Sequence, residues 1–195
     1  MMRCLYLTFF GAHTKFTVRY SGDDLRRVFA FVFRKQRHNF KQGRSKMATT
    51  VLITGGCGFV GSNLAVFLAT RGMDVVCLDN FSRRGSEYLA ERVISAGCRV
   101  VRGDVRCPED LAKIAGADVL VECSAEPSVL VGSRGGDARY LMNVNLVGAL
   151  NCFEWAREHR SGVVFMSTSR VYPIHRIHSA KYRESETRFQ LVEAG

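Results

Sequence analysis

Three glycines at three-residue intervals, Gly55, Gly58 and Gly61 in GGCGFVG, follow directly on the β-branched run Thr50–Thr54 (TVLIT). That pattern suits one kind of chemistry. A pyrophosphate is held by backbone N–H donors at a helix N-terminus, where the helix dipole favours negative charge, and the backbone comes close enough only where side chains are missing. The spacing assigns Gly55 to a tight turn, Gly58 to the approach of phosphate and Gly61 to close packing of a helix on a strand. The bland alternative is an ordinary glycine-rich turn, and the strand-loop-helix context argues against it.

Asp79 supplies a second chemical group. It ends the apolar run Asp74–Asp79 (DVVCLD), 18 residues after Gly61, close to the spacing of about 20 expected for an acid that binds ribose hydroxyls. An acid there favours NAD over NADP. Arg83 and Arg84 lie just beyond and could instead receive a 2′-phosphate; a solvated strand end and a solvated loop are the plain alternatives.

These residues need elements to position them. Ser62–Arg71 (SNLAVFLATR) has helical periodicity, with Leu64, Phe67 and Leu68 on one face and Gly72 as the stop. Further strands are expected at Arg99–Gly103, Asp118–Cys123 and Gly162–Ser167, with helices at Pro108–Ala115 and Ala138–His159. Strands alternating with helices mean βαβ units, a parallel sheet and right-handed crossovers. The expected fold is therefore α/β, a Rossmann-type doubly wound sheet of order 3-2-1-4-5, with ligand at the carboxyl ends of the strands beside the switch point.

Composition narrows the classes. At 195 residues, 47% hydrophobic and 24% charged, the chain suits one soluble domain. No apolar run approaches the roughly 18 residues that span a bilayer. Seven scattered cysteines without C-x-x-C or clustered histidine look like reduced thiols, so no metal site is expected. The net charge of +10 is uneven: residues 1–46 hold 11 Lys and Arg against Asp23 and Asp24, whereas the remainder holds 17 against 16 acids. Those 46 residues also hold nine of the 19 Phe and Tyr. Basic and aromatic residues together can bind single-stranded nucleic acid, and an Arg-rich, acid-poor start can be a targeting segment. The preferred expectation is an upstream extension, disordered or not native, with Met47 as the natural start.

Five motifs in order resemble the extended short-chain dehydrogenases/reductases, the NAD-dependent epimerase/dehydratase family acting on nucleotide sugars. They are Thr54–Gly61 (TGGCGFVG), Leu78-Asp79-Asn80, Gly103-Asp104-Val105, Asn145–Asn151 (NLVGALN) and Ser167–Tyr172 (STSRVY). TGGCGFVGSNLA, LDNFSRRGSE and STSRVYP look like the branch of CDP-paratose 2-epimerase-like proteins. The resemblance implies NAD as cofactor and extends the cofactor set beyond the glycines and Asp79. Phe59 and Val60 would lie along the pyrophosphate, Asn80 beside the adenosine ribose, and Asp104 and Val105 at adenine. The backbone of Cys123, Ser124 and Ala125 would approach the nicotinamide ribose, Asn145 would hold the helix and strand ends, and Ser167 would border the cofactor. Thr168 would be the catalytic hydroxyl that hydrogen-bonds the reacting sugar oxygen.

Two departures stand out. Glu122-Cys123-Ser124-Ala125 occupies the place where relatives often carry His-x-Ala-Ala, and no tyrosine has lysine four positions on, so the family's Y-x-x-x-K base is missing from the chain. The expected organisation is residues 1–46 as extension, 47–175 as an NAD(P)-binding domain and 176–195 as the start of a catalytic region, truncated before a sixth strand and a substrate domain. The expected function is the cofactor-binding part of a cytoplasmic nucleotide-sugar epimerase, a fragment inactive by itself. A non-catalytic NAD-binding module or partner subunit is the alternative. The expected partners are a nucleotide-sugar substrate and, in the full-length form, a second copy, with no membrane and no nucleic acid. Truncation is also expected to leave the fifth strand unpaired at its outer edge.

Overall fold

Alternation along short buried strands organises the molecule. In β3 (Thr50–Thr54), Val51 and Ile53 pack on one side of the sheet and Leu52 on the other. β4 (Asp74–Asp79) repeats this, with Val75 and Cys77 opposite Val76 and Leu78. So does β6 (Val119–Glu122), with Val119 and Val121 opposite Leu120. Each of these side chains is at most 1% exposed, and full burial of one side chain of this size is worth about 1.5–3 kcal/mol. A strand apolar on both faces needs cover on both, which is why helices lie on either side.

The computed structural model describes residues 6–11, 14–19, 48–128, 137–166, 181–186 and 189–192. One face is covered by α1 (Phe59–Ala69), through Leu64, Ala65 and Leu68, and by α2 (Ser86–Ser95), through Val93. The other is covered by α3 (Pro108–Ala112), through Leu111, and by α5 (Gly148–Glu158), through Cys152, Trp155 and Ala156. α5 continues a rod that starts as α4 (Ala138–Met142) and passes through a π-helical turn at Asn143–Val147. The predicted helix over 138–159 is thus one rod with an inserted bulge. α2 is a helix that the sequence left unassigned: its buried positions Ser86, Ala90 and Val93 keep helical spacing, but the larger Tyr88 and Ile94 are exposed, which blurs the apolar stripe.

β5 (Arg99–Arg102), β4, β3, β6 and β7 (Gly162–Met166) pair in parallel in that spatial order, which is the expected 3-2-1-4-5. The chain winds from β3 towards β4 on one side and returns to β6 on the other, and this reversal of strand order places a crevice at the carboxyl ends of β3 and β6.

The outer edge of β7 corrects an expectation. It is paired: β1 (Tyr6–Gly11) runs antiparallel to it, with Leu7 opposite Met166 and Phe10 opposite Val163, and β2 (Thr14–Arg19) closes a hairpin on β1. An open strand edge offers a row of backbone donors and acceptors, and YLTFFG is rich in the residue types that suit a strand. The charge and aromatic content of residues 1–46 conceal this local pattern. Towards the other terminus β8 (Tyr182–Glu184) and β9 (Phe189–Leu191) form a separate antiparallel pair.

Removing residues 1–46 should expose the β7 edge. Hydrogen exchange checks this: the amides of residues 163–166 that face β1 are expected to lose protection, while those of β3 and β4 keep theirs. Unchanged exchange in β7 would contradict the pairing.

Candidate functional site

The chain leaves β3 at Gly55, whose φ of +62° is a left-handed conformation that glycine adopts without strain. Gly58 N–H then donates to Gly55 O at 3.0 Å, and Ser62 N–H to Gly58 O at 2.9 Å, so the turn feeds straight into α1. Gly61 must be glycine for packing: a Cβ there would lie 2.2 Å from Gly55 O. Gly56 carries a similar constraint that the motif spacing does not reveal, because its Cβ would lie 2.4 Å from Cys77 Cβ. α1 therefore starts at Phe59, three residues before the predicted Ser62. Its first-turn N–H groups lack intrahelical acceptors, no side chain caps them, and Phe59 is 69% exposed. The result is a set of donors at the positive end of a helix dipole facing open space.

Asp79, only 9% exposed, fixes this loop to β4. Its Oδ2 accepts Cys57 N–H and its Oδ1 accepts Phe81 N–H, each at 2.9 Å. Burial, with the Asp79 charge adding to it, pushes the Cys57 thiol up to about 12, so it is no nucleophile at neutral pH. The chain after Asp79 turns sharply: Asn80 Oδ1 accepts Ser82 N–H at 3.0 Å, and Phe81 takes a φ of +58°, unusual for an aromatic residue. Strain of this kind persists where surrounding contacts impose it.

The floor continues at the ends of β5 and β6. Asp104 is held on every side: Arg106 donates to Oδ1 through its backbone N–H and Nε, and to Oδ2 through Nη2 at 2.6 Å, while Asn80 Nδ2 donates to Oδ2 at 2.9 Å. The Arg106 guanidinium and Asn80 overcome the cost of burial and hold the carboxyl down at about 2. Glu122 is 2% exposed and receives Thr54 Oγ1, Ser124 N–H and Ser124 Oγ. Burial pushes its carboxyl up, against the hydrogen bonds from Ser124 and Thr54. These bonds fold the chain after β6 over the end of β3. Asn145, presented by the π-helical turn, accepts Glu126 N–H at 2.8 Å and donates to Glu126 O at 3.1 Å, which ties the rod to that same loop. Such bulges recur where a helix must aim a side chain at a site.

Together these parts enclose a cleft of about 640 Å³, within the range of small-molecule sites. Gly55, Gly58, Phe59, Val60, Gly61, Asp79, Asn80, Asp104, Val105, Cys123, Ser124, Ala125 and Asn145 all line it. Ser167 and Thr168 lie outside the described residues, as does Tyr172. Tyr140, Glu126 and the buried side chain of Glu122 are among the lining groups to which the sequence expectations gave no role. Arg106, which saturates Asp104, was likewise not foreseen. Arg83 lines the cleft but is tied to Glu126 at 3.1 Å. Among the described residues no group of His, Cys, Asp and Glu could hold a metal ion, and no helix is long and apolar enough to cross a membrane.

Residues 51–190 match the NAD dependent epimerase/dehydratase family. The chain belongs to that family. It is 33% identical to the CDP-paratose 2-epimerase of Salmonella typhi over 147 residues, 73% of this chain and 43% of the relative. It is also 33% identical over 124 residues to the UDP-glucose 4-epimerase of Corynebacterium glutamicum, covering 63% of this chain and 36% of the relative. Among solved structures, the UDP-glucose 4-epimerase from Bifidobacterium longum in complex with NAD+ and UDP has a TM-score of 0.55 and 25% identity, over 64% of this chain and 38% of that one. A UDP-galactose 4-epimerase has a TM-score of 0.52 and 33% identity, over 63% and 39%. The chain thus spans less than half the length of these epimerase-family proteins.

The Asp104 network predicts a pH signature. Its carboxyl is depressed in the fold relative to about 3.9 in an unfolded chain, so its stabilisation is present above that value and is lost as pH falls through about 2. Asp104→Asn is expected to cost about 1–2 kcal/mol at pH 7. Urea denaturation should show a constant gap between the two proteins from pH 8 to 5 that narrows below pH 4; a pH-independent gap would contradict the assignment.

Proposed function

We propose that residues 47–175 are the NAD-binding part of a CDP-paratose 2-epimerase-like enzyme acting on a nucleotide sugar. The observation that carries this is the uncapped start of α1 at the glycine loop, with the buried Asp79 beside it, each of its oxygens accepting one backbone N–H. The residues fit the cofactor on their own geometry. Phe59, Val60 and Gly61 would face its pyrophosphate with N–H donors, Gly58 would leave room for its approach, and the remaining lone pairs of Asp79 would accept from the adenosine ribose. Val105 would border adenine, and for the Asp104 side chain to take part Arg106 must release an oxygen. Ser124 and Ala125 would line the nicotinamide end. When bound, NAD supplies the hydride chemistry, oxidation and re-reduction at one sugar carbon.

The chain's own residues bind and orient. Asp79 holds the loop, Glu122 and Asn145 hold the loop after β6, and Thr168 is the position for a hydroxyl on the reacting sugar oxygen. The proton at that oxygen needs a base near neutral pH, and the Y-x-x-x-K pattern that provides it in the family is missing from these 195 residues. We therefore propose that the chain binds NAD and turns over no sugar by itself. A homodimer in the longer protein has support in Met142, Leu146 and Leu150, which follow one another at four-residue intervals and are more than half exposed.

Titration calorimetry with NAD tests the reading. Saturable binding is expected for the chain, and Gly58→Val, which fills the phosphate approach, and Asp79→Ala should each weaken it at least tenfold, about 1.4 kcal/mol, with circular dichroism confirming the fold. Epimerisation of CDP- or UDP-sugars is expected to stay at background. No binding by the folded wild-type chain would overturn the proposal.

A further inference from the structure

Arg83 follows Asp79 by four residues and lines the same cleft, where a free guanidinium would suit the 2′-phosphate that distinguishes NADP from NAD. It is not free. Its Nη2 lies 3.1 Å from Glu126 Oε1, across the cleft and 43 residues away in sequence. The two partners are unequal: the Glu126 side chain is 13% exposed and that of Arg83 is 52% exposed. Glu126 is also anchored from other directions, since its Oε1 accepts Ser128 N–H at 2.9 Å and its backbone is held on both sides by Asn145. The carboxylate is thus a fixed point built into the loop after β6, and the long arginine side chain reaches over to it. Arg84, the other cation of the pair in the sequence, does not line the cleft.

We infer that Glu126 is a specificity-determining residue: by engaging and neutralising Arg83 it withholds the cation that a 2′-phosphate requires, and so restricts the site to a dinucleotide with a free 2′-hydroxyl. This builds on the reading of the cleft as a dinucleotide site. Asp79 opposes a 2′-phosphate by its own charge, and Glu126 acts at the second position by removing an attraction rather than adding a clash. Discrimination of this sort is a difference between two affinities, so a change in their ratio is what identifies it.

The test compares NAD+ and NADP+ binding to the full chain, to Glu126→Gln and to Arg83→Gln/Glu126→Gln. Releasing a half-exposed arginine onto a phosphate should tighten NADP+ on the order of fivefold in Glu126→Gln. NAD+ should hold its affinity, because Asn145 grips only the Glu126 backbone. The double variant should lose the gain, which marks Arg83 as its source. If Glu126→Gln leaves the ratio unchanged, or weakens both dinucleotides alike, Glu126 only supports its loop and the inference fails while the cofactor reading stands. If the folded wild-type chain binds neither dinucleotide, both fail together.

Discussion

One carboxylate joins the two loops on which the cleft depends: Asp79 takes Cys57 N–H from the glycine turn on one oxygen and Phe81 N–H from its own turn on the other. A carboxylate this deeply buried is costly unless hydrogen-bonded, and hydrogen bonds to a charged group are worth about 1.5–3 kcal/mol each. The arrangement therefore tolerates little rearrangement. Gly56 N–H adds a second tie to the same strand through Leu78 O at 3.2 Å. With the loop held at both points, α1 starts where it does, Gly61 packs against Gly55 O, and the first-turn amides are left facing the cleft.

Four acidic residues line a cleft that is to receive a polyanion, and their surroundings resolve that conflict. Asp79 is spent on backbone amides and Asp104 on Arg106 and Asn80, Glu122 lies below the surface on Thr54 and Ser124, and Glu126 is matched by Arg83. What remains unmatched is the row of amides at the α1 N-terminus. The cleft thus presents a positive helix end on one wall and keeps its negative charge committed elsewhere. Because these partners are set within the protein, little ordering is left to be done on binding.

The doubly wound sheet was legible because strands buried on both faces read as continuous apolar runs, and because TVLIT, the glycines and Asp79 lie close together in sequence. Twelve of the thirteen expected cofactor residues that line the cleft could be placed there for the same reason, since each lies at the carboxyl end of a strand or in the turn and helix start that follow it, whereas Asn145 comes from the π-helical turn. The missed features depend on pairs far apart in the chain. Nothing near Glu126 announces Arg83, 43 residues before it, and nothing in Gly56 announces the strand residue Cys77 against which it packs. The hairpin Tyr6–Arg19 lies within a stretch whose overall basic charge and aromatic content mask two short runs of strand-forming residues. The π-helical turn at Asn143–Val147 leaves no mark in a helical periodicity.

In the proposed function the amides at the start of α1 anchor a dinucleotide. Titrating NAD into the 15N-labelled chain and following backbone amide resonances tests it most directly. The largest shifts are expected at Phe59, Val60 and Gly61, with smaller ones at Asn80, Val105 and Ser124. Binding that leaves these three α1 amides unmoved, or shifts confined to another part of the chain, would contradict it.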